Sequence, residues 1–150
     1  MKDALTMIRQ YTDNDVDSVV HVWRKASDFA HPFLTKAFQD GEAENVRNVY
    51  PKYAEIWVKE YDGDIVGFIA LLENEVGAIF LDPDYHGKGM GRQLMDFAAE
   101  LRGSLTVEVF RDNAVGRKFY DAYGFQPVGE YLHEPSGQMT IKMAYDPVAT

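Results

Sequence analysis

Leu81-Asp82-Pro83-Asp84-Tyr85-His86-Gly87-Lys88-Gly89-Met90-Gly91-Arg92 joins an apolar run, Val76–Leu81, to a segment in which Leu94, Phe97, Ala98 and Leu101 recur at helical spacing. Its context is therefore strand, glycine-rich loop, helix. Glycine adopts backbone angles closed to other residues and lets the main chain approach a ligand closely. The amides of residues 87–92 fall at the start of the helix, where the first N–H groups lack intrahelical acceptors. With the helix dipole they form a site for phosphate oxygens, and Lys88 and Arg92 add positive charge. A flexible turn that happens to be rich in glycine is the alternative. The loop lacks the Gly-Lys-Ser/Thr ending of a Walker loop. Its glycine spacing, and the hairpins that precede it, also depart from a Rossmann dinucleotide site. The phosphates belong to another kind of cofactor.

Working back from the loop, Glu73-Asn74 is a turn, and Ile65–Leu72 is a strand apolar without alternation, as expected of a strand buried on both faces. Asp62-Gly63 is a hairpin turn after the strand Ile56–Tyr61. The segment Ser27–Ala54 mixes Phe29, Phe33, Leu34 and Phe38 with His31-Pro32 and charged residues. It is expected to hold one or two irregular helices that either line a cleft or cover the sheet. Before it, Val16, Val19, Val20 and Trp23 mark a helix capped by Thr12 or Asp13, following a short strand, Met7–Tyr11. Forward from the loop, Leu105, Val107 and Val109 alternate as in a strand, and Asn113–Tyr123 reads as a helix ended by Gly124. Strands Phe125–Leu132 and Met139–Tyr145 flank a turn at Pro135-Ser136-Gly137. Successive hairpins followed by βαβ crossings imply an α/β fold with a mixed sheet and helices on both faces.

The chain has 150 residues and no cysteine, which suits a single domain over 1–150 and excludes disulfides, thiolate metal sites and a cysteine nucleophile. A net charge of −9 disfavours binding to nucleic acid and is compatible with cationic small molecules or lysine-rich partners. Neither a secretory apolar core near the N-terminus nor an apolar run long enough to span a bilayer is present, so a cytoplasmic protein without membrane partners is expected. His21, His31, His86 and His133 show no ligand spacing and read as surface or satisfied side chains, so no metal is expected. No Gly-x-Ser-x-Gly elbow occurs.

His86-Gly87-Lys88-Gly89-Met90-Gly91, with its lead-in Ile79-Phe80-Leu81-Asp82-Pro83, resembles motif A of the GNAT superfamily of N-acetyltransferases. The family pattern carries arginine or glutamine where this chain has His86. Asn113, Phe119-Tyr120 and Gly124-Phe125 resemble a second signature of the same superfamily, in the same order and at the same separation. The resemblance extends over nearly the whole chain through its element order. It implies a GNAT-like, mostly antiparallel central sheet of about seven strands with helices on both faces. It also implies acetyl-CoA as co-substrate, its pyrophosphate on the 86–92 loop, and an amine acceptor, either a small molecule or a protein lysine or N-terminus. The acetyl group would pass directly to the amine in a ternary complex.

Residue by residue, the resemblance implies that Tyr120 protonates the departing thiolate, that Asn113 contacts the cofactor, and that backbone amides near Phe80 and Leu81 hold the thioester carbonyl. A phenol keeps its proton at neutral pH and can hydrogen-bond a developing thiolate. Glu75 stands where some members carry a catalytic carboxylate; Glu73, His31 and Glu108 are further candidates for the base. Each has a plainer reading: a packed aromatic for Tyr120, a helix N-cap for Asn113, an exposed turn residue for Glu75. Asn113 and Tyr120, seven apart, share a helix face, with Gly116 between them leaving room for a ligand and Val115, Phe119 and Ala122 facing the core. A non-catalytic acyl-CoA sensor and a transferase for longer acyl donors stay open as alternatives, as does a homodimer.

Overall fold

The computed structural model describes residues 6–148. Seven strands form one sheet in the order β1-β2-β3-β4-β5-β7-β6: β1 Thr6–Gln10, β2 Glu55–Tyr61, β3 Asp64–Leu72, β4 Glu75–Leu81, β5 Leu105–Phe110, β6 Gln126–His133 and β7 Gln138–Tyr145. Every neighbouring pair is antiparallel except β4 and β5. Helices α1 (Val16–Ala30) and α2 (Lys36–Asn48) cover one face, and α3 (Met90–Arg102) and α4 (Ala114–Tyr123) the other. The element order and the mixed sheet are those expected from the sequence. The 27–54 segment resolves into the end of α1, the regular helix α2 and a short 3₁₀ turn, Tyr50–Lys52.

Each sheet face has its own core. Val19, Val22, Trp23, Val46, Ile56, Val58, Phe68 and Ala70 pack under α1 and α2. Ile69, Leu71, Leu94, Met95, Ala98, Leu105, Val107, Tyr120, Tyr123 and Phe125 are among those packing under α3 and α4. Strand β3, buried from Val66 to Leu71, supplies side chains to both, which explains its unbroken apolar run. Two helical faces differ from expectation. In α3 the buried stripe is Met90, Leu94, Met95 and Ala98, and Leu101 is exposed. In α4 the buried positions are Tyr120 and Tyr123, with Asn113 at the cap, while Val115 and Ala122 are exposed. Aromatic bulk decides the second case: two tyrosines offer more apolar area than a valine and an alanine.

A bulge in β4 redirects the second half of that strand. Leu71 pairs with Val76 and Ala70 with Ala78, so Gly77 is an extra residue. Val76 lies in the α3–α4 core, and beyond the bulge Ala78 and Phe80 face α1 and α2. Bulges bend the strand that carries them. The parallel ladder between β4 and β5 accordingly covers only Glu75–Thr106 and Val76–Val107. Past Val76 the sheet is open between these two strands.

Candidate active site

The glycine loop begins where β4 ends. Asp82 is buried, accepts a hydrogen bond from the Asp84 amide at 2.9 Å, and is bridged by Lys25 of α1 at 3.0 Å, which ties the loop's start to the opposite helix layer. Gly87 and Gly89 have φ of 80° and 81°, the left-handed region that favours glycine, and Gly89 is the N-cap of α3. The Gln93 N–H to Gly89 carbonyl bond, at 3.0 Å, is the first that closes a helical turn. The amides of Met90, Gly91 and Arg92 therefore emerge at the helix end, an anion-binding arrangement.

The side chains of this loop divide. His86, Lys88 and Arg92 are exposed, whereas Met90 is buried and can offer a ligand only its amide. The Arg92 guanidinium rests over the Tyr123 ring at 5.0 Å, so its charge is directed toward α4. Gly91 has a packing role as well: a Cβ there would lie 3.3 Å from the Phe119 ring, so glycine lets α3 and α4 approach.

Helices α1 and α4 lie on opposite sheet faces yet touch, and the contact passes where β4 and β5 have parted. His31, just after α1, is buried beside the rings of Phe80 at the end of β4, Phe110 at the end of β5, and Phe33. Asn113 is the N-cap of α4: its Oδ1 accepts from the Gly116 amide at 2.8 Å, leaving the side-chain NH₂ 3.1 Å from His31 Nε2. That NH₂ can only donate, so Nε2 accepts and the ring proton sits on Nδ1, which donates to Ser27 Oγ at 3.0 Å. Burial lowers the His31 pKa to about 4, so the ring is neutral at pH 7.

Gly116 corrects the sequence expectation. A Cβ at that position would come within 2.6 Å of Asn113 Nδ2 and 3.0 Å of its Cγ. The missing side chain makes room for the capping amide rather than for a ligand.

Tyr120 is 7% exposed and packs edge-on against Phe119 and Phe125, with ring centroids 5.6 Å away in each case. Burial raises its pKa above the ordinary phenol value. Its hydroxyl has no hydrogen-bond partner among the described residues, and no fully sealed side-chain polar atom there lacks one, so the oxygen is not sealed in the core. A protonated, unengaged phenol is what a general acid requires.

Across the sheet, on the face left uncovered beyond α1, Glu108 of β5 accepts from the Tyr131 hydroxyl at 2.7 Å. The Tyr131 pKa is pushed up to about 12 by that bond first, then by burial and by the charges of Glu108 and Glu75. Both carboxylates thus act on one hydroxyl: half-exposed Glu75 at the root of the opening and exposed Glu108 one strand over. Glu73 lies in the β3–β4 turn at φ 56°.

Residues 52–127 match the acetyltransferase (GNAT) domain family. The chain is 33% identical over 123 residues to the peptidyl-lysine N-acetyltransferase YjaB of Salmonella typhimurium, covering 81% of this chain and 84% of that one. The chain belongs to the GNAT acetyltransferase family. It is 29% identical over 123 residues to the peptidyl-lysine N-acetyltransferase YiaC of Escherichia coli. The solution structure of apo-form YjaB from E. coli superposes with a TM-score of 0.86 at 27% identity, over 97% of this chain and 99% of that one. A coenzyme A complex of the PaiA N-acetyltransferase from Thermoplasma acidophilum shares the fold, with a TM-score of 0.76 at 19% identity, over 94% and 99%.

This GNAT protein is an acetyl-CoA-dependent N-acetyltransferase. Among the described residues no group of three or more metal-ligating side chains is assembled, and no helix is long and apolar enough to cross a membrane. Sequence reasoning gave His31 and Glu108 little weight. The surroundings of each come from residues distant in sequence, His31 from Asn113 and Glu108 from Tyr131. Only the short apolar context of His31, Phe29 to Leu34, was a local signal.

Proposed function

We propose that this GNAT enzyme acetylates the ε-amino group of lysine in protein or peptide substrates, with Tyr120 as general acid and the Glu75–Glu108 pair receiving the amine proton. The observation that carries this reading is the Tyr120 hydroxyl, unpartnered and protonated, on the helix whose N-cap reaches through the open part of the sheet. Two relatives named peptidyl-lysine N-acetyltransferases support the acceptor class.

An ammonium is mostly protonated at neutral pH and must lose a proton before its nitrogen can attack. Glu108, held in place by Tyr131, and Glu75, whose charge acts on the same hydroxyl, receive that proton directly or through water. The acetyl thioester supplies the activated carbonyl. A C–N bond forms as the C–S bond breaks, the amine proton passes to a carboxylate, and Tyr120 donates its own to the departing sulfur, which leaves as thiol. The amides of Met90, Gly91 and Arg92, with Lys88, hold phosphate oxygens; amides near Phe80 and Leu81 serve the carbonyl, with His86 alongside the cofactor, while Asn113, engaged by Gly116 and His31, holds the start of α4.

The test is thiol release from acetyl-CoA against lysine peptides, peptides with a free α-amine and blocked lysines, and small polyamines, with Tyr120→Phe in parallel. Turnover on lysine peptides that the variant loses while still binding acetyl-CoA supports the reading. Preference for the α-amine moves the acceptor to protein N-termini. Unchanged turnover in Tyr120→Phe removes the acid role.

A further inference from the structure

His31 and Asn113 are 82 residues apart in sequence, and their bond joins the two helix layers through the gap between β4 and β5. Both partners are fixed from behind. Asn113 cannot turn without giving up the Gly116 amide, and His31 is anchored by Ser27 and wedged among Phe33, Phe80 and Phe110. The segment following His31 belongs to the same aromatic group on the uncovered side: Phe33 meets Phe110, while Phe38 and Phe110 each meet His133 beside the β6–β7 turn.

We propose that His31 is a positioning residue for acetyl transfer: through Asn113 it fixes the first turn of α4, hence the placement of Tyr120, and it ties that placement to the aromatic 31–38 segment on the acceptor side. The proposal rests on the reading of Tyr120 as general acid. The nitrogens of His31 are both engaged, Nε2 by the Asn113 amide and Nδ1 by Ser27, so the ring has no free lone pair with which to serve as the base. Its contribution is geometric. Tyr120 is seven residues beyond the cap, about 10 Å along the helix axis. A tilt of about 5° at the cap therefore moves the tyrosine by about 1 Å, enough to cost up to about a hundredfold in rate when a reacting group is displaced.

Steady-state kinetics with acetyl-CoA and a lysine peptide, and acetyl-CoA affinity by calorimetry, are compared for wild type, His31→Gln, His31→Phe, Asn113→Ala and the His31→Phe/Asn113→Ala double variant. Glutamine retains an acceptor for the Asn113 NH₂; phenylalanine retains a ring without one. His31→Phe is expected to lower kcat about tenfold or more with acetyl-CoA affinity unchanged, His31→Gln to recover most of it, and the double variant to be no worse than the poorer single, since coupled partners are not additive. Equal damage from glutamine and phenylalanine, an unchanged kcat in His31→Phe, or additive losses would overturn the proposal.

Two further measurements do not depend on turnover, and the first needs no variant. Nitrogen NMR of wild type is expected to show the Nδ1–H tautomer of His31 at neutral pH; an Nε2–H tautomer refutes the bond. Hydrogen exchange at the Gly116 amide is expected to quicken about tenfold in His31→Phe, as a cap held less firmly opens more often; unchanged exchange refutes the coupling to α4. If Tyr120→Phe keeps full turnover, the acid reading fails by itself, and these two measurements still judge the His31–Asn113 link.

Discussion

Two regions border the opening between β4 and β5, and they are built by opposite means. The glycine loop is exposed and defined by main chain: left-handed Gly87 and Gly89 set its course, and helix-end amides supply its chemistry. The His31–Asn113 crossing is buried and defined by side chains, with a donor and an acceptor paired at every step from Ser27 to Gly116. A main-chain site tolerates varied side chains provided the backbone can take its angles. A side-chain relay fails at the loss of any one polar atom, because its partner is left buried and unsatisfied. Loop variants should therefore act on acetyl-CoA binding, and crossing variants on turnover and stability.

The largest separation should come from Tyr120→Phe. Removing a general acid is expected to lower kcat by about 10²–10⁴-fold while acetyl-CoA binding changes little, because the loop is untouched. A loss confined to affinity would place Tyr120 with the loop and collapse the contrast.

The second prediction concerns pH. His31 has a folded pKa of about 4, held down by burial, against an ordinary value near 6.5. A depressed pKa on a base means that the unfolded chain binds the proton more readily. Stability is therefore full above about pH 6.5 and falls as pH drops toward 4, where the folded ring protonates, by about 3 kcal/mol in all. Urea unfolding between pH 7 and 4 should show that slope in wild type and a shallower one in His31→Phe. Equal slopes would mean that His31 is not buried in its neutral form.

Gly89→Val tests the loop. A β-branched residue at φ 81° is strained by about 1–3 kcal/mol, so the binding-competent loop becomes a minority conformer. The acetyl-CoA Kd should rise by roughly 5- to 150-fold, and kcat at saturation should fall little. A reduced kcat at unchanged Kd would show that the loop, too, sets the geometry of transfer.

The same contrast explains what the sequence disclosed. The loop was legible because its determinants are local: glycines at fixed positions between a strand and a helix. The alternation in β5, the unbroken apolar run of β3 and the Asp62-Gly63 turn were legible for the same reason. The α4 face was misread because Val115 and Ala122 look apolar in one dimension, whereas the sheet offered room for the larger Tyr120 and Tyr123, with Phe119 packed beside them as expected. The purpose of Gly116 was out of reach, since it depends on how Asn113 turns to cap the helix. The His31 contacts lie further still from any local pattern: they form where β4, bulged at Gly77, has parted from β5.

Gly116→Ala gives the smallest effect but the sharpest one, because its sign depends on which region the glycine serves. Within a helix, alanine in place of glycine ordinarily stabilises by about 1 kcal/mol. Here the new Cβ would lie 2.6 Å from Asn113 Nδ2 and 3.2 Å from a Val109 methyl, so the amide must swing away. The cap, worth about 0.5–2 kcal/mol, is then lost together with the His31 bond. We expect a net destabilisation of about 1 kcal/mol, seen as a Tm lower by roughly 2–4 °C. Turnover should fall and acetyl-CoA affinity should hold. In an Asn113→Ala background nothing remains for the methyl to displace but the Val109 contact, and the same substitution should become neutral or stabilising. A stabilising effect in wild type itself would mean that Asn113 is not held in this capping geometry, and that α4 owes its position to Tyr120 and Tyr123 in the core rather than to the crossing.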